Sequence, residues 1–153
     1  MEKDPNDLDT IINLGISFTK AGKLEKAIQA YRCAIRIDPE VGATYVCLAR
    51  VLYARGSLEE SIENFRYALK YIPEDVLICS NLGAVFKENG QFDEAIHMYQ
   101  KAISINPENA EVQNRLGNVF RECGMFDEAI RAYQKAMDAN PKYADSVILV
   151  HCS

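Results

Sequence analysis

Residues 82–107 read LGAVFKENGQFDEAIHMYQKAISINP, and this stretch decides the fold. Leu82 and Phe86, then Ala95, Ile96, Tyr99, Ala102 and Ile103, recur at the spacing that lines one buried face on each of two helices. Gly90 breaks the pattern between them, as a glycine after a helix does, and Pro107 stops the second helix. The unit is helix, tight turn, helix, end.

The unit recurs on both sides. The chain has five prolines, Pro5, Pro39, Pro73, Pro107 and Pro141, each 34 residues from the next. Gly22, Gly56, Gly90 and Gly124 keep the same spacing, as do Ala34, Ala68, Ala102 and Ala136. A strict period of this length means a stack of one supersecondary unit. The full units are 8–41, 42–75, 76–109 and 110–143. Residues 1–7 read as the tail of a preceding unit, with Asp7 as N-cap for the first helix. Residues 144–153 begin a fifth unit, in which Val147 and Val150 align with Ile11 and Leu14. The consecutive Val147, Ile148, Leu149 and Val150 are the reverse of the polar cap that a terminal unit needs. The segment therefore reads as the cut end of a longer array or as a surface for a second copy.

Small residues stand where helices cross closely: Gly15, Ala49, Gly83 and Gly117 on first helices, and Ala27, Ser61, Ala95 and Ala129 on second helices. Large apolar residues fill the complementary slots. Gln113 is the exception, polar where Ile11, Tyr45 and Cys79 stand in the other units, and it predicts looser packing there.

The spacing Leu14-Gly15-Ile16-Ser17-Phe18, Ala27, Tyr31, Pro39, repeated as Leu82-Gly83-Ala84-Val85-Phe86, Ala95, Tyr99, Pro107, resembles the tetratricopeptide repeat. The match spans residues 8–143 in four copies. Ala49 and Leu52 depart from it in the second unit. The resemblance implies an all-α solenoid, a right-handed superhelix of antiparallel helix pairs forming a single domain over 1–153. It also implies a concave groove lined by first helices, in which a peptide or protein segment is bound without catalysis.

In that register, the groove-facing positions carry five basic groups (Lys20, Arg50, Lys87, Arg115, Arg121) and four acidic ones (Asp9, Glu88, Glu111, Glu122). Ile12, Ile16 and Val46 offer aliphatic contact. The expected peptide-binding residues are Asn13, Arg50, Asn81, Lys87, Asn114, Arg115, Asn118 and Arg121. Asn can donate and accept toward a peptide backbone, and Arg can grip a carboxylate with two bonds, so a partner with an acidic group is expected. A local ion pair of Glu111 with Arg115 would compete for that grip. The carboxylate clamp of heat-shock co-chaperones is absent from units one to three. The asparagine ladder of O-linked N-acetylglucosamine transferase is half present, at Asn13 and Asn81, and interrupted by Cys47 and Arg115.

Composition narrows the rest. Seventeen basic residues against 22 acidic ones give a net charge of −5, which argues against nucleic acid or anionic membranes as partners. No apolar run approaches the roughly 20 residues of a membrane span. Cys33, Cys47, Cys79, Cys123 and Cys152 are odd in number, and none forms a Cys-x-x-Cys, so reduced thiols in the cytoplasm are expected. His97 and His151 have no partners at metal-ligand spacing, and no phosphate loop or nucleophile motif occurs. The acid pairs Glu59-Glu60, Asp93-Glu94 and Asp127-Glu128 begin second helices, where the helix dipole favours them. No enzyme, cofactor or metal is expected. The leading function is an interaction scaffold. Its alternatives are self-assembly through residues 144–153 and the recognition arm of a larger enzyme such as a glycosyltransferase.

Overall fold

The computed structural model describes residues 7–142. Pro5, His151, Cys152 and the expected fifth unit at 144–153 lie outside the described residues. Within them stand eight helices and no strand: α1 (Leu8–Lys20), α2 (Leu24–Ile37), α3 (Gly42–Arg55), α4 (Leu58–Tyr71), α5 (Val76–Glu88), α6 (Phe92–Ile105), α7 (Ala110–Glu122) and α8 (Phe126–Ala139). They gather into two compact units, one reaching Glu74 and the other starting at Asp75. In the first, α1 packs on α2, α2 on α3 and α3 on α4; in the second, α5 to α8 follow the same order.

Local chemistry sets the ends. Asp7 accepts from the Asp9 amide at 3.3 Å, Asp75 from Ile78 at 2.9 Å and Asn109 from Val112 at 3.0 Å, which satisfies donors at the starts of α1, α5 and α7. Second helices lack a side-chain cap. α4, α6 and α8 instead carry Glu59 and Glu60, Asp93 and Glu94, and Asp127 and Glu128 in the first turn. The pairs thus sit at helix starts, as their spacing implies. Gly56 closes α3 at φ +90°, a left-handed conformation that a side chain would strain.

The first unit's core holds Ala27, Ile28, Tyr31, Leu48, Val51 and Leu52, with Ile16 and Cys47 packed against it. Ile16 therefore spends part of its surface on the core rather than in a groove. In the second unit, Cys79, Leu82, Phe86, Tyr99, Leu116 and Phe120 are buried, Cys79 as the small hydrophobe its position predicts. Close crossings explain the glycines: a Cβ on Gly83 would lie 2.8 Å from Tyr99 Cε1. The second repeat uses Ala49 and Phe65 in that register, and the buried Ser61 hydroxyl donates to Ala49 O at 2.7 Å.

The apolar stripe of the repeat lies open at two places. Leu14 is 48% exposed, although Leu48, Leu82 and Leu116 in the same register are buried. Phe126 and Ile130 on α8 are 62% and 53% exposed. At each place, the described residues supply no further helix to cover the outer stripe.

Candidate functional site

The richest polar cluster lies in the second unit, between the two first-of-pair helices α5 and α7. Ala84, Lys87 and Glu88 of α5 and Arg115 and Asn118 of α7 surround a cleft of about 160 Å³, with Tyr99 of α6 at its inner wall. Ala84 keeps the near wall low. The helical period explains the grouping, since Arg115 and Asn118 are three residues apart on one face of α7.

Several of these polar groups are already held by neighbours. The Tyr133 hydroxyl donates to Asn118 Oδ1 at 2.6 Å, which leaves the Asn118 amide nitrogen to donate outward. Tyr133 can reach Asn118 because Gly117 has no side chain; a Cβ there would stand 2.7 Å from the Tyr133 ring. Burial pushes the Tyr133 phenol up, with Arg121 and Lys87 pulling it down and Glu122 pushing it further up. The phenol therefore keeps its proton and its donor role at neutral pH. Lys87 Nζ meets Glu122 Oε1 at 3.1 Å, linking α5 to α7. Arg115 meets Glu111 Oε1 at 2.6 Å, the local pair expected from their spacing. Both pairs are partly exposed, so a ligand carboxylate could replace Glu111 or Glu122 at small cost.

Of the eight residues singled out in the sequence, Lys87, Arg115 and Asn118 share this cleft, and Arg121 flanks it through Tyr133. Asn81 and Asn114 are half-buried on α5 and α7 and do not line it. Asn13 and Arg50 are exposed, on α1 and α3 of the first unit. There, Arg50 faces Cys47, whose thiol is pushed up by burial and pulled down by Arg50 and a hydrogen bond from Tyr31. Cys47 is thus a packed thiol rather than a reactive thiolate. Tyr99 and Tyr133 read as core in the sequence. Their edges at the polar face were recognisable only from the glycine–tyrosine register, in which each ring slides past a backbone without Cβ.

The looser packing expected at Gln113 is present, as a second cleft behind α7 of about 270 Å³. His97 is exposed, and Cys33, Cys47, Cys79 and Cys123 are unpaired. Among the described residues, no three His, Cys, Asp or Glu side chains are placed to hold a metal ion, and no helix is long and apolar enough to cross a membrane.

Paired helices in a 34-residue frame, with small residues at every crossing, define a helical repeat protein. Three tetratricopeptide repeat models match the sequence, at residues 9–41, 49–90 and 86–148. The chain belongs to the tetratricopeptide repeat family, whose members are protein-interaction scaffolds and generally not catalysts. No curated protein sequence matches it significantly. Among solved structures, a crystal structure of MamA superposes with a TM-score of 0.87 at 25% identity, covering 93% of this chain and 83% of that one. A MamA fragment from Desulfovibrio magneticus RS-1 gives 0.85 at 18% identity, over 90% and 78%. YrrB, described as a tetratricopeptide repeat protein with an unusual peptide-binding site, gives 0.80 at 24% identity, over 93% and 73%. The fold is the all-α tetratricopeptide solenoid.

Proposed function

We propose that the protein is a non-catalytic scaffold of the cytoplasm that holds an extended segment of a partner protein against its first-helix face. The observation that carries this reading is the α5–α7 cleft. There Lys87, Arg115 and Asn118 converge on one small hollow, and Tyr133 fixes the Asn118 amide in a donating orientation. An acidic group on the partner would displace Glu111 from Arg115, while the Asn118 amide takes a backbone carbonyl. Asn81, Asn114 and Arg121 supply further polar contacts along α5 and α7, and Asn13 and Arg50 offer such contacts on the first helices of the first unit. Rigid helices present these groups ready placed, so little order has to be gained on binding. With a net charge of −5, nucleic acid and anionic membrane are not its partners.

The test is selection from a displayed random-peptide library, followed by calorimetry on the enriched sequences. The reading expects acidic residues among the enriched peptides, and at least about a tenfold loss of affinity in Arg115→Ala/Arg121→Ala, as the removal of charge-assisted hydrogen bonds implies. Enriched peptides that bind the double variant as tightly as the parent would remove this anchor.

One observation favours self-assembly as a second reading. Phe126 and Ile130 stand open on α8, whereas Ile28 and Ile62 in the register of Ile130 are buried. Light scattering decides it: oligomers that dissolve in Ile130→Ser support it, and a monomer at every concentration ends it.

A further inference from the structure

The cleft behind α7 lies on the side of that helix away from Arg115 and Asn118, and it shares no lining residue with the polar hollow. Ile103, Leu116, Phe120 and Ala132 form its apolar walls, and Lys135 stands at its rim. Gln113 also lines it. The residue is only 5% exposed. As a lining residue, Gln113 offers the hollow an amide that can both donate and accept.

The chain shows what such a place accepts. Two repeat lengths of 34 residues earlier, the same three positions are Tyr45, Tyr67 and Tyr71. Tyr45 is buried there, its ring stacked at 5.4 Å on Tyr67 and at 5.9 Å on Tyr71, and its hydroxyl donates to Pro39 O at 2.7 Å. In the fourth repeat, those rings are replaced by Gln113, Lys135 and Ala139. The third repeat also lacks the rings, with Cys79, Lys101 and Ile105 there, and the fourth has a hollow of about 270 Å³ beside Gln113 and Lys135. An apolar hole of about 150 Å³ already holds benzene.

We propose that this cleft is a second binding site, which takes the phenol ring of a tyrosine from a partner polypeptide. The ring lies between Leu116, Phe120 and Ile103. Its hydroxyl exchanges a hydrogen bond with the Gln113 amide, which can donate or accept. Lys135 approaches the ring face, a favourable position for a cation. The site opens to the surface beside Glu128 and Arg131, so the segment bearing the tyrosine can run past it. It is independent of the first-helix face, and its failure would leave that reading untouched.

The probes are p-cresol, toluene and acetyl-Gly-Tyr-Gly-amide, titrated into the full chain and followed by NMR at the Gln113 side-chain amide and the Leu116 methyls. Expected are saturable shifts with p-cresol, binding of toluene about five-fold weaker for want of one hydrogen bond, and tighter binding of the peptide than of p-cresol. Gln113→Leu should bind p-cresol and toluene alike. Gln113→Tyr, which fills the cleft with its own ring, should lose the response to all three. Equal affinity for p-cresol and toluene in the parent, or an undiminished response in Gln113→Tyr, would overturn the proposal. A peptide no tighter than p-cresol would overturn its assignment to a partner polypeptide.

Discussion

Replacing Gly117 by alanine sets two known effects against each other. The new Cβ would stand 2.7 Å from Tyr133 Cε1, 2.8 Å from Cδ1 and 3.0 Å from Cζ. The shortest of these is about 0.7 Å less than the 3.4 Å at which ordinary contact begins. Overpacking of this kind costs about 1–3 kcal/mol. Against it, alanine in a helix interior gains about 1 kcal/mol over glycine. The clash wins, and Gly117→Ala should destabilise the protein by about 1 kcal/mol in urea unfolding. The sign should reverse in a Tyr133→Ala background. With the ring gone, only the helix preference remains, so the same substitution should stabilise by about 1 kcal/mol. The displaced ring also releases Asn118 Oδ1, so Gly117→Ala should weaken peptide capture as well. The reasoning is refuted if Gly117→Ala destabilises equally in both backgrounds, because the cost would then lie elsewhere than at Tyr133.

Further outcomes are expected. The buried Thr44 hydroxyl has no hydrogen-bond partner among the described residues, so Thr44→Val should raise stability by about 1 kcal/mol; a loss in urea unfolding would contradict it. Burial raises Tyr31, Tyr45 and Tyr133 above 10.0 and Cys47 and Cys79 above 9.0. The folded state therefore holds these protons longer than the unfolded chain, so the stability these groups contribute is full below pH 9.0 and is lost as pH rises through their raised values. A melting temperature that climbs from pH 9 to pH 11 would contradict that assignment. Maleimide at pH 7 should label the exposed Cys123 well before the raised Cys47 or the buried Cys79; mass spectrometry of the labelled peptides reads the order.

The periodic features were legible because one physical device sets each of them. Proline ends a helix wherever it falls, a glycine in the left-handed region makes the turn, and small residues at a fixed register admit the neighbouring helix. Pro39, Gly56 and Gly83 could therefore be read without a structure. The polar face was less legible. Lys87, Arg115 and Asn118 meet because α5 and α7 lie side by side, whereas Asn81 and Asn114, equally plausible by register, do not line the hollow. Tyr133 hid in an apolar stripe, since only its ring edge reaches Asn118. Leu14 and Ile130 follow the repeat faithfully yet lie open, because register fixes the face of a helix and not the presence of a neighbour. Gln113 breaks the pattern, but that one position does not announce that Lys135 and Ala139 stand where Tyr67 and Tyr71 do in the second unit.

The central claim is that the hollow between α5 and α7 receives the partner. Its most direct measurement is a ¹H–¹⁵N NMR titration of the uniformly labelled protein with a library-selected acidic peptide. The account predicts that the largest shifts fall on Lys87, Arg115, Asn118 and the Arg121 guanidinium, and that they vanish in Arg115→Ala/Arg121→Ala. Shifts confined to other helices, with these residues unmoved at saturation, would contradict it.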